Sequence, residues 1–159
     1  MSSKTPYTPG EWALLARTPF MVGLIITLAA PSGITGVLEE SSAVTHALTL
    51  ALQSRLTEPL LKSLLEDIAS SQGQLAYPLE QLNPADAQTI ALSTLKGATA
   101  LLAHKATASE AQAFKHWLLG IAAATAAAAK EGGVLGIGGV QVNQAEEAAL
   151  EQIRAALEV

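Results

Sequence analysis

Glu131–Val142, EGGVLGIGGVQV, is the stretch whose reading separates an α/β chain from an all-α one. Five of its twelve residues are glycine, and Gly136–Gly139 has the Gly-x-Gly-Gly spacing that invites a phosphate-binding reading. Such a loop needs a strand before it and, in a P-loop, a Lys-Ser/Thr pair at its end. Here the preceding segment is alanine-rich and no Lys-Ser/Thr follows. The loop is also apolar, with Val134, Leu135, Ile137, Val140 and Val142 set between the glycines. A Gly/Ser linker stays solvated. An apolar one is expected to lie close over a core, glycine allowing positive φ or close backbone approach. The stretch therefore reads as a turn joining two helices.

Upstream, Thr107-Ala108-Ser109-Glu110 has the form of a capping box. It opens a helix of about twenty residues with Phe114, Trp117, Leu118 and Ile121 on one face, followed by the alanine run Ala122–Ala129. Alanine favours helix and permits close helix–helix approach, which predicts a central helix ending at Gly132 in a left-handed C-cap. Downstream, Asn143 caps a last helix whose stripe is Leu150, Ile153 and Leu157.

Further out, Asn83-Pro84-Ala85-Asp86 gives an Asn cap with proline behind it and opens a helix through Ile90, Leu95, Leu101 and Leu102. Thr57-Glu58-Pro59 starts another with the stripe Leu60, Leu61, Leu64, Leu65 and Ile68, and Gln72–Asn83 reads as a loop. A helix from Ser32–Thr35 to about Ser54 is expected from Ile34, Val37, Leu38, Val44, Leu48 and Leu52. Thr8-Pro9-Gly10-Glu11 opens the first helix, and Thr18-Pro19 is expected to kink or restart it, because proline removes a helical hydrogen bond. With no alternating strand pattern, the expectation is an all-α single domain over residues 1–159. It is a compact bundle of six or seven helices behind a flexible segment 1–8.

Composition bounds the function. Half of the 159 residues are hydrophobic and 14% charged, enough for a core. Aromatics are only 4%, alanine is about a fifth, and the net charge is −5 with nine scattered Lys and Arg. A nucleic-acid binder would carry a basic stripe, so no nucleic-acid partner is expected. The absence of cysteine excludes disulfides and thiolate metal sites and is compatible with a cytoplasmic location. Residues 1–12 carry no apolar signal core. The apolar run Phe20–Ala30 has eleven residues, against about 20 for a membrane span. The chain is expected not to be transmembrane.

Two segments share a plan. Val22–Leu48 and Leu119–Leu157 each run from an apolar helix through a glycine-containing turn to a second helix with acids near its start. In the late copy, Gly138-Gly139-Val140-Gln141-Val142-Asn143-Gln144-Ala145-Glu146 resembles the A-D-G-x-(V/I)-(S/D)-x-x-E turn of TerB-type tellurite-resistance proteins. Val142, Asn143 and Glu146 match, while Gly139 and Val140 stand where that family has aspartate and glycine. The early copy, Ala30-Pro31-Ser32-Gly33, also lacks the aspartate. The resemblance spans about Trp12–Ser54 and Phe114–Val159. It implies a small all-helical protein of stress response, with divalent-metal binding at acidic loops and a protein partner at the inner membrane face.

Glu39, Glu40, Glu146 and Glu147 are the candidate metal ligands, because a hard cation takes six to eight oxygens and the repeat would bring both acidic pairs together. Acids in a first helical turn also oppose the helix dipole favourably, which requires no ion. His46 shares a helix face with Glu39, but neither Glu-x-x-His nor His-Glu-x-x-His occurs. Asp67 and Asp86 pair with no histidine at an interpretable spacing, and a helical enzyme would need His46 or His116 buried with carboxylates. The leading expectation is a non-enzymatic binding or scaffold protein without an organic cofactor, self-associating as a homo-oligomer through apolar faces. The alternative is a small-molecule or lipid-binding helical protein with an apolar cavity lined by Phe20, Met21, Ile25, Phe114, Trp117 and Ile137.

Overall fold

The computed structural model describes residues 4–29, 58–71, 83–131 and 144–159. Every regular element among them is an α-helix: α1 (Pro9–Ala29), α2 (Pro59–Ser70), α3 (Pro84–Lys105), α4 (Ala108–Glu131) and α5 (Gln144–Leu157). The helix expected near 32–54, the glycine loop and the turn at 30–36 lie outside the described residues. With them lie the comparison of the two repeats and the C-cap expected at Gly132.

Three helix starts follow their sequence signatures. The Thr8 amide donates to Glu11 Oε2 at 2.7 Å and the Glu11 amide to Thr8 Oγ1 at 3.3 Å, a reciprocal capping box. At α4 the Glu110 amide donates to Thr107 Oγ1 at 3.2 Å, and the Thr107 amide to Glu110 Oε2 at 3.0 Å. Asn83 Oδ1 accepts from the Asp86 amide at 2.9 Å and caps α3. The start of α2 differs: Glu58 makes no side-chain cap, and its Oε1 instead accepts from Ser109 Oγ of α4 at 2.7 Å.

Pro19 neither restarts nor ends the first helix. It lies inside the continuous 21-residue α1 and is buried. Lacking an N–H, it cannot serve the carbonyl of Leu15 four residues back. The Thr18 hydroxyl donates to that oxygen at 2.6 Å instead, so the fully buried group is not orphaned. The Thr-Pro pair thus repairs the break it would otherwise cause.

From Glu11 to Ala29 no residue of α1 is exposed, and α1 touches each of the other four helices. A helix buried all round is the interior rod of its fold. The alanine-rich α4 also reaches every other helix, yet keeps an outer side: Ala122, Thr125 and Ala126 are buried, while Ala123 and Ala127 are exposed. Its inward stripe continues through Phe114, Leu118 and Ile121. Small residues also line α3, where Ala87, Ala91 and Ala98 alternate with Leu95 and Leu102. Thr99 joins α3 to α5: its hydroxyl lies 3.0 Å from both the Leu95 and the Ala156 carbonyl oxygens. The latter, in the last turn of α5, has no partner within its own helix.

Extension of the apolar run through Pro19 gives α1 the length and composition of a membrane-crossing helix, beyond the eleven residues counted from sequence. In this structure 56% of its most apolar window is buried inside the protein.

Candidate functional site

Glu146 and Glu147, two of the four expected metal ligands, open α5 and diverge. Glu146 is buried at 5% exposure and Glu147 is exposed, as adjacent residues on a helix do not share a face. Glu39 and Glu40 lie outside the described residues, as does His46. Among the described residues no three His, Asp or Glu side chains converge as a metal site would require. His104 and His116 are exposed. The latter's Nδ1 sits 2.9 Å from the Gln112 carbonyl oxygen, which assigns the ring proton to that nitrogen. Of the residues expected to line an apolar cavity, Met21, Ile25 and Phe114 are fully buried members of the core, while Phe20 and Trp117 pack against it. Phe114 and Trp117 meet edge-on at 5.6 Å. Ile137 lies outside the described residues.

The feature with the most chemistry lies where the sequence promised a flexible terminus. Residues 4–8 fold back over the start of α1. Tyr7 is only 9% exposed, and its amide donates to the Lys4 carbonyl oxygen at 3.1 Å. Against this segment, α1 contributes Trp12 and Ala13 and α2 contributes Asp67, around a surface cleft of about 530 Å³.

Two cation-centred contacts hold the arrangement. On the α2 side, the Lys4 ammonium pairs with Asp67 Oδ2 and lies 5.4 Å from the Trp12 ring centre. Trp12 Nε1–H donates to the same Asp67 oxygen at 2.8 Å, so one carboxylate fixes both the indole and its cation. Tyr7 and Trp12 stand 5.7 Å apart and tilted. On the α3 side, Lys105 pairs with Glu11 Oε2 at 2.7 Å, donates to the Pro6 carbonyl oxygen at 3.0 Å and lies 5.9 Å from the Tyr7 ring centre. The sequence order is aromatic, acid, aromatic across Tyr7–Trp12, and the tertiary fold brings a lysine to each ring.

Electrostatics follow from these partners. The hydrogen bond from Lys4 is the main cause that holds the Asp67 carboxyl below its ordinary range, assisted by Trp12 and opposed by partial burial. Lys105 does the same for Glu11, helped by the Thr8 amide. Burial pushes the Tyr7 phenol upward, and the negative charges of Glu110 and Glu11 add to it. Near neutrality both acids stay ionised and the phenol stays protonated.

The two halves of the clasp are not equally fixed. Trp12 is 5% exposed, whereas the Lys4 and Asp67 side chains are 50% and 39% exposed. An exposed ion pair contributes about 0–1 kcal/mol, and a solvent-exposed cation–π contact about 0.5–1 kcal/mol. The rings are anchored; the ammonium between ring and carboxylate is held by forces comparable with those any water-borne cation would meet there.

Sequence reasoning placed Trp12 only as a helical apolar residue and treated Asp67 only as an unmatched catalytic acid. The available signal was local: two of the chain's six aromatic residues, Tyr7 and Trp12, follow Lys4 and flank the capping residues Thr8 and Glu11. Asp67 could not be added from sequence, because its meeting with Trp12 spans 55 positions.

Comparisons of the chain with family models, with curated proteins and with solved structures found no match in any of the three.

Proposed function

We propose that the protein is a non-enzymatic helical binding module whose recognition surface is the cleft around Trp12, Tyr7 and Asp67. The observation that carries this reading is the geometry of the cleft, in which one carboxylate, Asp67, bonds both the Trp12 indole and the Lys4 ammonium. A general acid or base works best with a pKa near the operating pH; Asp67 and Glu11 are shifted below their ordinary values and Tyr7 above its own. Such groups present fixed charge and hydrogen-bond acceptors without exchanging protons. Aromatic faces beside a fixed carboxylate supply apolar contact and orientation together, as small-ligand sites do. A screen of capped amino-acid amides, followed by amide and indole N–H chemical shifts, tests the reading. At least one member is expected to shift the Trp12 indole and Tyr7 amide signals together; shifts confined to other surfaces, or none, would sink it.

The TerB resemblance supports a second reading, in which the same module serves a stress response and holds a divalent ion through Glu39, Glu40, Glu146 and Glu147. What supports it is that resemblance together with the place of Glu146 and Glu147 in the first turn of α5, where acids also oppose the helix dipole without an ion. Calorimetric titration with calcium, manganese and zinc tests it. Heat that disappears in a Glu146→Gln, Glu147→Gln variant is expected, and a silent wild-type protein would remove the metal from the account. Self-association through apolar faces draws no support from the described surface, where Val159 is the sole exposed large hydrophobic residue.

A further inference from the structure

Lys4 occupies its own protein's cleft as a ligand would. Its ammonium faces an indole ring at 5.4 Å and bonds to the carboxylate that also fixes that indole. An aromatic face with an adjacent carboxylate is the recognition chemistry of an organic cation. A hydrogen-bonding cation takes the carboxylate as well, whereas an anion gains neither contact.

We propose that Trp12, Tyr7 and Asp67 form a binding site for a primary organic ammonium, such as a lysine side chain of a partner peptide, and that Lys4 fills this site in cis until the partner displaces it. The inference rests on the cleft being a recognition surface and adds to it the ligand class and the built-in competitor.

Three observations favour displacement over a purely structural clasp. Half of the Lys4 side chain is exposed, so it can leave without opening the core. Trp12 and Tyr7 remain anchored in its absence: Trp12 by its α1 position and its bond to Asp67, and Tyr7 by its neighbouring indole and the Lys105 contact. The cleft also has room, about 530 Å³ bounded on its far side by Ser70 and Ser71 at the end of α2. There the hydroxyls of both serines already donate to carbonyl oxygens of their own helix. Their oxygens remain acceptors for an ammonium hydrogen.

An internal ligand that fills a site nine-tenths of the time lowers the apparent affinity for an external one about tenfold. The test is a titration of wild-type protein, Lys4→Ala and Asp67→Asn with Nα-acetyl-lysine amide and its neutral isostere Nα-acetyl-norleucine amide. The indole N–H signals report, with Trp117→Phe assigning them. Lys4→Ala is expected to bind the lysine amide roughly tenfold more tightly than wild type, and Asp67→Asn to lose that binding with an unchanged circular dichroism spectrum. Equal affinity in wild type and Lys4→Ala would overturn the self-occupied site. Equal shifts from the norleucine amide would overturn the cation while leaving the cleft as a binding surface. Silence of the lysine amide toward Lys4→Ala would also overturn the inference. A hit from another amide at the cleft would then preserve the broader reading, and the lack of any hit would remove both.

Discussion

The first helix joins two regions built on opposite rules. From Leu15 to Ile26 most of its side chains are apolar and buried, and the buried Thr18 hydroxyl is satisfied by the Leu15 carbonyl. At its N-terminal end, within two turns, the neighbours are Lys4, Asp67, Glu11 and Lys105, all joined by contacts that water can reach. The inner region gains from every methylene that fits. The outer one is assembled from charges whose exchange with solvent or ligand is nearly neutral in free energy. Stability and recognition are therefore carried by different stretches of one helix, and variants should separate them.

The largest effect belongs to the inner region. Phe114→Ala, which removes a fully buried ring, is expected to cost about 3–5 kcal/mol in urea unfolding. A smaller loss would mean that the core around α1 is loosely packed. Thr18→Val keeps the shape but strips the hydroxyl that serves Leu15, and should cost about 1–3 kcal/mol by leaving a buried carbonyl unsatisfied. A neutral outcome would show that Pro19 needs no such repair.

Gly120 sits on the outer side of α4, and a Cβ added there meets nothing within 4 Å. Gly120→Ala should raise stability by about 0.5–1 kcal/mol from helix propensity alone. Loss of stability would place an unrecognised contact on that surface.

For the outer region the sharper probe is pH. Asp67 and Glu11 titrate below their ordinary values of 3.8 and 4.5. Their contribution is complete above those values and is lost as pH falls through the lower folded-state ones. The stability difference between wild type and Asp67→Asn should shrink with acidification below about pH 4. Tyr7 has the opposite sign: its contribution is present below 10.0 and lost as pH rises through the raised folded value. Lys4→Ala is expected to lower unfolding free energy by about 1–1.5 kcal/mol, the counterpart of a tenfold change in affinity. A much larger loss there would merge the two regions into one.

Legibility in the sequence divides along the same line. Helices were readable because caps and stripes are local: Thr107 with Glu110, Asn83 with Asp86, and the leucines of α2 all lie within a few residues of their partners. Thr18-Pro19 misled because the repairing hydroxyl belongs to a residue that also reads as a helix start. The cleft was illegible for another reason. Its members are short-range neighbours only in part; Asp67 and Lys105 arrive from α2 and α3, and no rule of spacing relates them to Trp12 and Tyr7. The acidic residues singled out from the repeat divided, with Glu146 inside and Glu147 outside, because a helix turns by about 100° per residue.

Native-state hydrogen exchange measures the separation of the two regions directly. The Tyr7 and Thr8 amides, bonded to the Lys4 carbonyl and Glu11, should exchange through local openings far below the global unfolding free energy. The α1 amides from Met21 to Ile26 should exchange only near that limit. Equal protection at both ends of α1 would contradict the account, because the clasp would then be part of the core and could not release Lys4 to admit a ligand.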